Sequence, residues 1–351
     1  MKTRLLKHSL LLLLFVGLVS SCSSDGSSDG GGDTPNNPNP VQSISIDASA
    51  LEVLQGGAVV FSVTDNNNNN ITSSATIYVA GTSIPVWSYT FAQAGTFDVY
   101  AEYDGLTSPT ISIQSIAPTH TTKVMVEDYT GTWCGYCPRL AHALEQTVAQ
   151  NSNVIPVALH DDNDMPFPNV SVLENTFGVD GFPSGRINRT TSWDESTSQP
   201  IGYLSEMKPL GLAINSSLSG STISADVKVH FDVAVDDDLK LVVYLLENGL
   251  YYPQVNYYNN DSGSPFYQQG DPIPDFEHNH AARIAFTDAL GDAIPAADNA
   301  TDHVYTANFS TSVPPNVQSS SNLELVAFVV GSDNTVINVQ QANLGVNQDF
   351  D

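Results

Sequence analysis

Positive charge is in short supply in this 351-residue chain: 11 Lys and Arg stand against 38 Asp and Glu, for a net charge of −27 at pH 7. A surface of that sign repels phosphate backbones, which excludes nucleic acid as a partner. Cysteine is scarcer still. The three present are Cys22, Cys134 and Cys137, and a structural zinc site built on the last two would need two further soft ligands. His142 and His160 read more simply as surface or core histidines, so no metal or other cofactor is expected. Long apolar runs are missing apart from residues 10–19, which are too few to span a bilayer stably. The length suits two or three domains, each able to bury a core.

That one apolar run has a clear context. Lys2, Arg4 and Lys7 precede it, and Val19-Ser20-Ser21-Cys22 closes it with small residues, the pattern of a secretory signal peptide. The tetrad resembles the lipobox of bacterial lipoproteins, which implies that Cys22 becomes an acylated N-terminus and that membrane contact is through lipid. Export also implies a compartment in which disulfides persist. Ser23 stands where an inner-membrane retention signal would place Asp, so the outer membrane is expected. Asp25 and Asp29 resemble surface-export signals, but Ser-Asp-Gly is also linker composition, and both the periplasmic face and the cell surface stay open. Residues 23–40 are Ser, Gly, Asp, Asn and Pro; with no apolar side chain to bury they predict a flexible tether.

From residue 41 to 117, short β-branched and aromatic runs alternate with Gly and Asn turns, predicting a small immunoglobulin-like β-sandwich. Residues 118–208 mix one strand-like run beginning at Val124 and leading to Trp133 with helical spacing over 140–148 and a second apolar strand over 154–160. From 209 to 351 the period returns to two, in about seven strands that predict a C-terminal β-sandwich. The connection over 251–279 is rich in Tyr, Asn, Pro and Gly, and a connection that long is functional or disordered. His160-Asp161-Asp162-Asn163-Asp164 alternates carboxylates in a way that suits calcium, yet lacks the glycine and distal glutamate of a dedicated loop. His278 and His280 have the spacing of a metal pair, although two histidines on an exposed edge are the commoner explanation.

The chemistry concentrates in Trp133-Cys134-Gly135-Tyr136-Cys137. A strand delivers these residues to the start of a helix, where free N–H groups and the positive dipole end favour a thiolate. Pro138 follows at a position where a missing N–H costs least.

These residues resemble the thioredoxin superfamily. Asp128 stands six residues before Cys134, where many members bury an acid that exchanges protons with the thiols, and 178–184 resembles the family's Val-x-x-x-Pro segment. The resemblance implies an α/β domain over 118–208 between the two sandwiches. It implies Cys134 as nucleophile, Cys137 as its disulfide partner and resolving thiol, and Pro183 as a cis-proline. Trp133 would belong to the same catalytic set, and Gly135, Tyr136 and Phe182 would face a substrate peptide. The Gly-Tyr dipeptide is that of some periplasmic disulfide isomerases rather than of strong reductants.

A second resemblance rests on Glu247-Asn248-Gly249, Gln254, His278-Asn279-His280 and Arg283. They look like the C-terminal region of a Gram-negative outer-membrane lipoprotein family that also has a thioredoxin-like region. Two functions follow. One is a lipid-anchored thiol-disulfide oxidoreductase acting on exported thiol or disulfide proteins with a redox partner. The other is a surface binding or adhesin-type lipoprotein in which Cys134–Cys137 is a structural disulfide.

Overall fold

A computed structural model of the chain describes residues 40–351. The signal peptide, the lipobox with Cys22, Asp25, Asp29 and nearly all of the tether lie outside the described residues. Residues 41–351 form one compact unit.

The first sandwich forms as its alternation predicts. Ala58–Asp65 shows the pattern most clearly, with Val59, Phe61 and Val63 inward. A three-stranded sheet, Ile44–Ala48, Ala58–Asp65 and Ser88–Thr90, faces a six-stranded one built around Gly95–Tyr103. Between them Phe61, Phe91, Val99 and Ile113 make a core that draws on no residue beyond this segment.

The rest of the chain is organised on a nine-stranded mixed sheet. Val124–Thr130 lies inside it, parallel to Val154–His160 and antiparallel to Ser184–Ile187. Every residue of the first two strands is buried, as expected where both sheet faces are covered. Val124 and Val126 face the helix Cys137–Gln150, whose Leu140 and Leu144 pack on them with Ile187 and Trp193. Cutting such a side chain back, as in Leu140→Ala, removes about 2–5 kcal/mol of stability.

Here the expected α/β domain over 118–208 is corrected, because its strands do not close a sheet of their own. Val154–His160 continues in parallel into Ala281–Ala285 through the Ala158–Ala281 pair, and the Ala158 N–H donates to the His280 carbonyl at 2.9 Å. From there the sheet runs on through Lys240–Glu247, Leu323–Val330 and Val336–Asn343. The C-terminal sandwich therefore shares its larger sheet with the region around the cysteines. Side chains of Lys240–Glu247 alternate between two cores. Leu241, Val243 and Leu245 meet the three-stranded sheet Leu210–Ser219, Thr222–Phe231 and Val304–Ser312, whereas Val242, Tyr244 and Leu246 join Met125, Tyr129 and Phe167 on the other face.

An ion pair is sealed inside that second core. Arg189 Nε lies 3.2 Å from Glu127 Oε1, both side chains fully buried. Arg189 also donates to the Tyr244 hydroxyl and, at 2.9 Å, to the Ala289 carbonyl, with its guanidinium 4.6 Å over the Phe328 ring.

Candidate functional site

Cys134 and Cys137 are joined as a disulfide, with Cα atoms 5.4 Å apart. Cys137 opens the helix Cys137–Gln150 and Pro138 occupies its first turn, where the loss of an N–H is tolerated. Trp133 and Tyr136 are about half exposed, yet Cys134 is only 4% and Cys137 only 1% exposed. That burial comes from the long connection.

The segment over 251–279 is neither disordered nor a plain loop. Leu250–Gln254 and Ile273–His278 pair as a two-stranded antiparallel ribbon, and residues 255–272 between them form a strap across the cysteine turn. The Val255 N–H donates to the Thr132 carbonyl at 2.9 Å and the Tyr257 N–H to the Gly135 carbonyl at 3.0 Å. Gln254 Nε2 donates to the Cys134 carbonyl at 2.9 Å. A Cβ on Gly135 would sit 2.4 Å from the Tyr257 ring, so only glycine admits that ring here. Asn256, 1% exposed, braces the strap from within by donating to the carbonyls of Phe266 at 3.0 Å and Gly270 at 2.9 Å. Tyr257 and Asn256 carried no sequence signal beyond the length and composition of the connection.

Beneath the disulfide lies a cavity of about 290 Å³, lined mostly by apolar side chains of the helix and by the ribbon. Its polar lining includes Asp128, Glu145, His160, Gln254, Glu277 and His278. Asp128 is 2% exposed and its Oδ1 has no partner; burial, then the charge of Glu195, pushes its carboxyl up to about 8. His278 Nε2 is also buried and unpartnered. Burial first, then the neighbouring His160, pushes the His278 imidazole down to about 3 against the opposing pull of Asp162. At neutral pH the cavity therefore presents an uncharged acid and an uncharged imidazole.

The remaining expected residues are placed as follows. The Phe182–Pro183 bond is cis, and Phe182 packs edge-on to Trp133 with centroids 5.3 Å apart. The carboxylates of 161–164 do not converge as a calcium cage. Asp162 accepts from His160 Nδ1 at 2.9 Å, from the Thr132 N–H at 3.0 Å and from the N–H groups of Asp164 and Met165. Burial would raise it, but these bonds and the His160 charge hold it down to about 2. Asp164 accepts from the Thr132 hydroxyl at 2.9 Å, and the Asp161 carbonyl from the Trp133 indole at 2.8 Å.

The His278-Asn279-His280-Arg283 block is a structural knot beside the cavity. Asn279 Oδ1 accepts the Gly249 N–H at 2.8 Å, and His280 pairs with Glu324 at 2.6 Å. Arg283 sits 3.3 Å from Glu247, both buried. The other Glu247 oxygen takes the N–H groups of Gln318 and Ser319. His278, Asn279 and His280 all line the cavity, with His280 tied to Glu324 rather than free to pair with His278.

Comparison with known families decides what these residues belong to. The family model for outer membrane protein Omp28 matches residues 170–348, which is half of the chain. The chain belongs to the Omp28 outer-membrane protein family. Its location is accordingly the outer membrane. No thioredoxin family model matches, so the thioredoxin assignment drawn from Trp133–Cys137, Asp128 and Pro183 is corrected. A short motif at a strand-to-helix turn is compatible with more than one lineage. HBP35 of Porphyromonas gingivalis is similar in fold, with a TM-score of 0.51 at 20% identity over 65% of this chain and 76% of that one. The Yersinia pseudotuberculosis adhesin InvE aligns over 86% of this chain and 58% of its own at 10% identity, with a TM-score of 0.19, too low to bear on fold. No curated protein matches the chain.

Proposed function

We propose that this Omp28-family protein is an outer-membrane binding protein whose ligand site is the cavity beneath the cysteine turn, with Cys134–Cys137 as a staple. One observation carries the reading: a mostly apolar cavity holding two buried polar atoms without partners, Asp128 Oδ1 and His278 Nε2. Small-ligand sites have that make-up, with apolar walls and a few convergent polar groups, and an unmatched buried polar atom costs about 1–3 kcal/mol unless something satisfies it. The matching ligand is a small neutral molecule with an apolar body, an acceptor for the Asp128 proton and a donor for His278. Burial of both sulfurs under the strap suits a staple better than a nucleophile, which needs access to its target. Surface display and lipid attachment through Cys22 belong to the same proposal.

The test is a fragment screen by NMR with small aromatic alcohols and amides, alongside the cavity-filling variant Ala158→Leu. Binders should shift resonances of Cys137 and His278 in the native protein and not in the variant. A screen with no binders, or binders indifferent to the filled cavity, removes the reading.

A second reading, thiol-disulfide exchange, has one observation of its own. Asp128, still protonated near neutral pH, lines the same cavity as Cys137 and is a proton relay in waiting. In that chemistry a substrate thiolate attacks Cys134 Sγ, Cys137 leaves as the thiolate and takes a proton through Asp128, and a second substrate thiolate then attacks the substrate sulfur of the mixed disulfide, releasing Cys134 as the thiolate, so that the substrate is oxidised to a disulfide and the Cys134–Cys137 pair is reduced. Cys137→Ser should then collect reductant-sensitive adducts with exported proteins; a clean monomer on a non-reducing gel leaves binding alone.

A further inference from the structure

Just upstream of the strand that leads to the cysteines, the connector over 117–123 meets the end of the Thr222–Phe231 strand. His120 Nε2 lies 2.7 Å from His230 Nδ1. Asp232 Oδ1 lies 3.7 Å from the first nitrogen and 3.8 Å from the second. Three donor atoms from three side chains thus form a small triangle. Bonds of about 2.0–2.2 Å at tetrahedral angles put donors about 3.3–3.6 Å apart, so the edges of 3.7 and 3.8 Å close by a few tenths of an ångström and the 2.7 Å edge opens by about 0.6–0.9 Å.

The surroundings are arranged as a metal site's second layer would be. Asp232 is held by the Thr119 N–H at 2.9 Å and the Thr119 hydroxyl at 2.5 Å, which fixes the carboxylate. His230 Nε2 lies 3.2 Å from Asp302 Oδ1. That bond places the His230 proton on Nε2 and leaves the Nδ1 lone pair facing the triangle, the carboxylate–histidine arrangement that orients metal-bound imidazoles. The Phe350 ring lies against both histidines, with centroids 5.4 and 5.9 Å away. Gly211 is the cross-strand partner of His230, and a Cβ there would come within 2.3 Å of the His120 ring. The glycine leaves the space that the ring fills.

We propose that His120, His230 and Asp232 form a three-ligand site for a divalent cation of the zinc type, clamping the connector onto the second sandwich. Two imidazoles and one carboxylate suit zinc, with a fourth position left for water. The acidic surface, net −27, attracts cations to it. His230 remains 19% exposed at its side chain, enough for entry.

The experiment titrates Zn²⁺ into the untagged, disulfide-bonded, chelator-stripped chain by calorimetry, with Co²⁺ as the absorbing substitute. One equivalent should bind, Co²⁺ should show the visible bands of a four-coordinate nitrogen–oxygen site, and Zn²⁺ should raise the melting temperature. His120→Gln should abolish uptake. Asp302→Asn, which leaves all three ligands in place, should weaken it about 10–100-fold and keeps the test decisive if the first variant folds poorly. Absence of stoichiometric uptake, or equal affinity in both folded variants, means that the His120–His230 contact is a hydrogen bond only and overturns the proposal.

Discussion

At the scale of single residues, Asp128 and Asp162 titrate in opposite directions and leave opposite marks on stability. Asp128 keeps its proton in the folded chain up to about 8, whereas an unfolded aspartate loses it near ~3.9. Between those values the folded state binds more protons, so stability falls as pH rises, by about 1.4 kcal/mol per unit. Asp128→Asn should be less pH-dependent than the native chain between pH 5 and 8, read as the difference in urea midpoints; equal slopes mean that Asp128 is ionised. Asp162 is held down to about 2. Its contribution is present above the unfolded value and disappears as pH falls toward 2, so Asp162→Asn should cost stability at pH 6 and little at pH 2. Arg189 and Glu127 give a third test. Removing one member strands a charge in a dry core, so Arg189→Met should cost about 3–5 kcal/mol, measured by chemical denaturation, and Arg189→Met with Glu127→Leu should cost less than Arg189→Met alone.

At the scale of elements, the strap controls the disulfide. Three hydrogen bonds from 254–257 fasten it to the cysteine turn. Val255→Pro removes one donor, and Gly135→Ala pushes against the Tyr257 ring. Both should speed reduction of Cys134–Cys137 by dithiothreitol, followed by thiol alkylation; rates equal to the native chain would mean that the strap opens freely already. The helix Cys137–Gln150 and the strand Val154–His160 were legible from spacing, because each buries one continuous face or both faces. The ribbon Leu250–Gln254 with Ile273–His278 was not. Its residues alternate weakly, since it rests on a neighbouring turn and buries few side chains of its own.

For the whole molecule, the division into cores decides which parts can stand alone. The first sandwich has a private core, whereas residues 124–187 share theirs with Tyr244, Leu246, Val326 and Phe328. A fragment of residues 41–117 should show cooperative unfolding and dispersed amide resonances. A fragment of residues 118–208 should show neither, because its sheet ends on an unpaired edge where Ala281–Ala285 belongs. A cooperatively folding 118–208 fragment would restore the separate domain.

What the sequence determined by itself is local or global: the acidic balance from its composition, the turn and helix that carry Cys134 and Cys137 from their spacing, and the strand-rich flanks from their period. Tertiary structure alone decided that one sheet unites both halves, that residues 254–257 cover Cys134, and that His120 meets His230. The reason is separation along the chain. Periodicity reports which face of an element is buried, not against what, and the Gln254–Cys134 and His120–His230 contacts join residues 120 and 110 positions apart. Such contacts exist only once the chain has condensed, so the cavity and the cation clamp are properties of the fold, made from residues that local patterning leaves unremarkable.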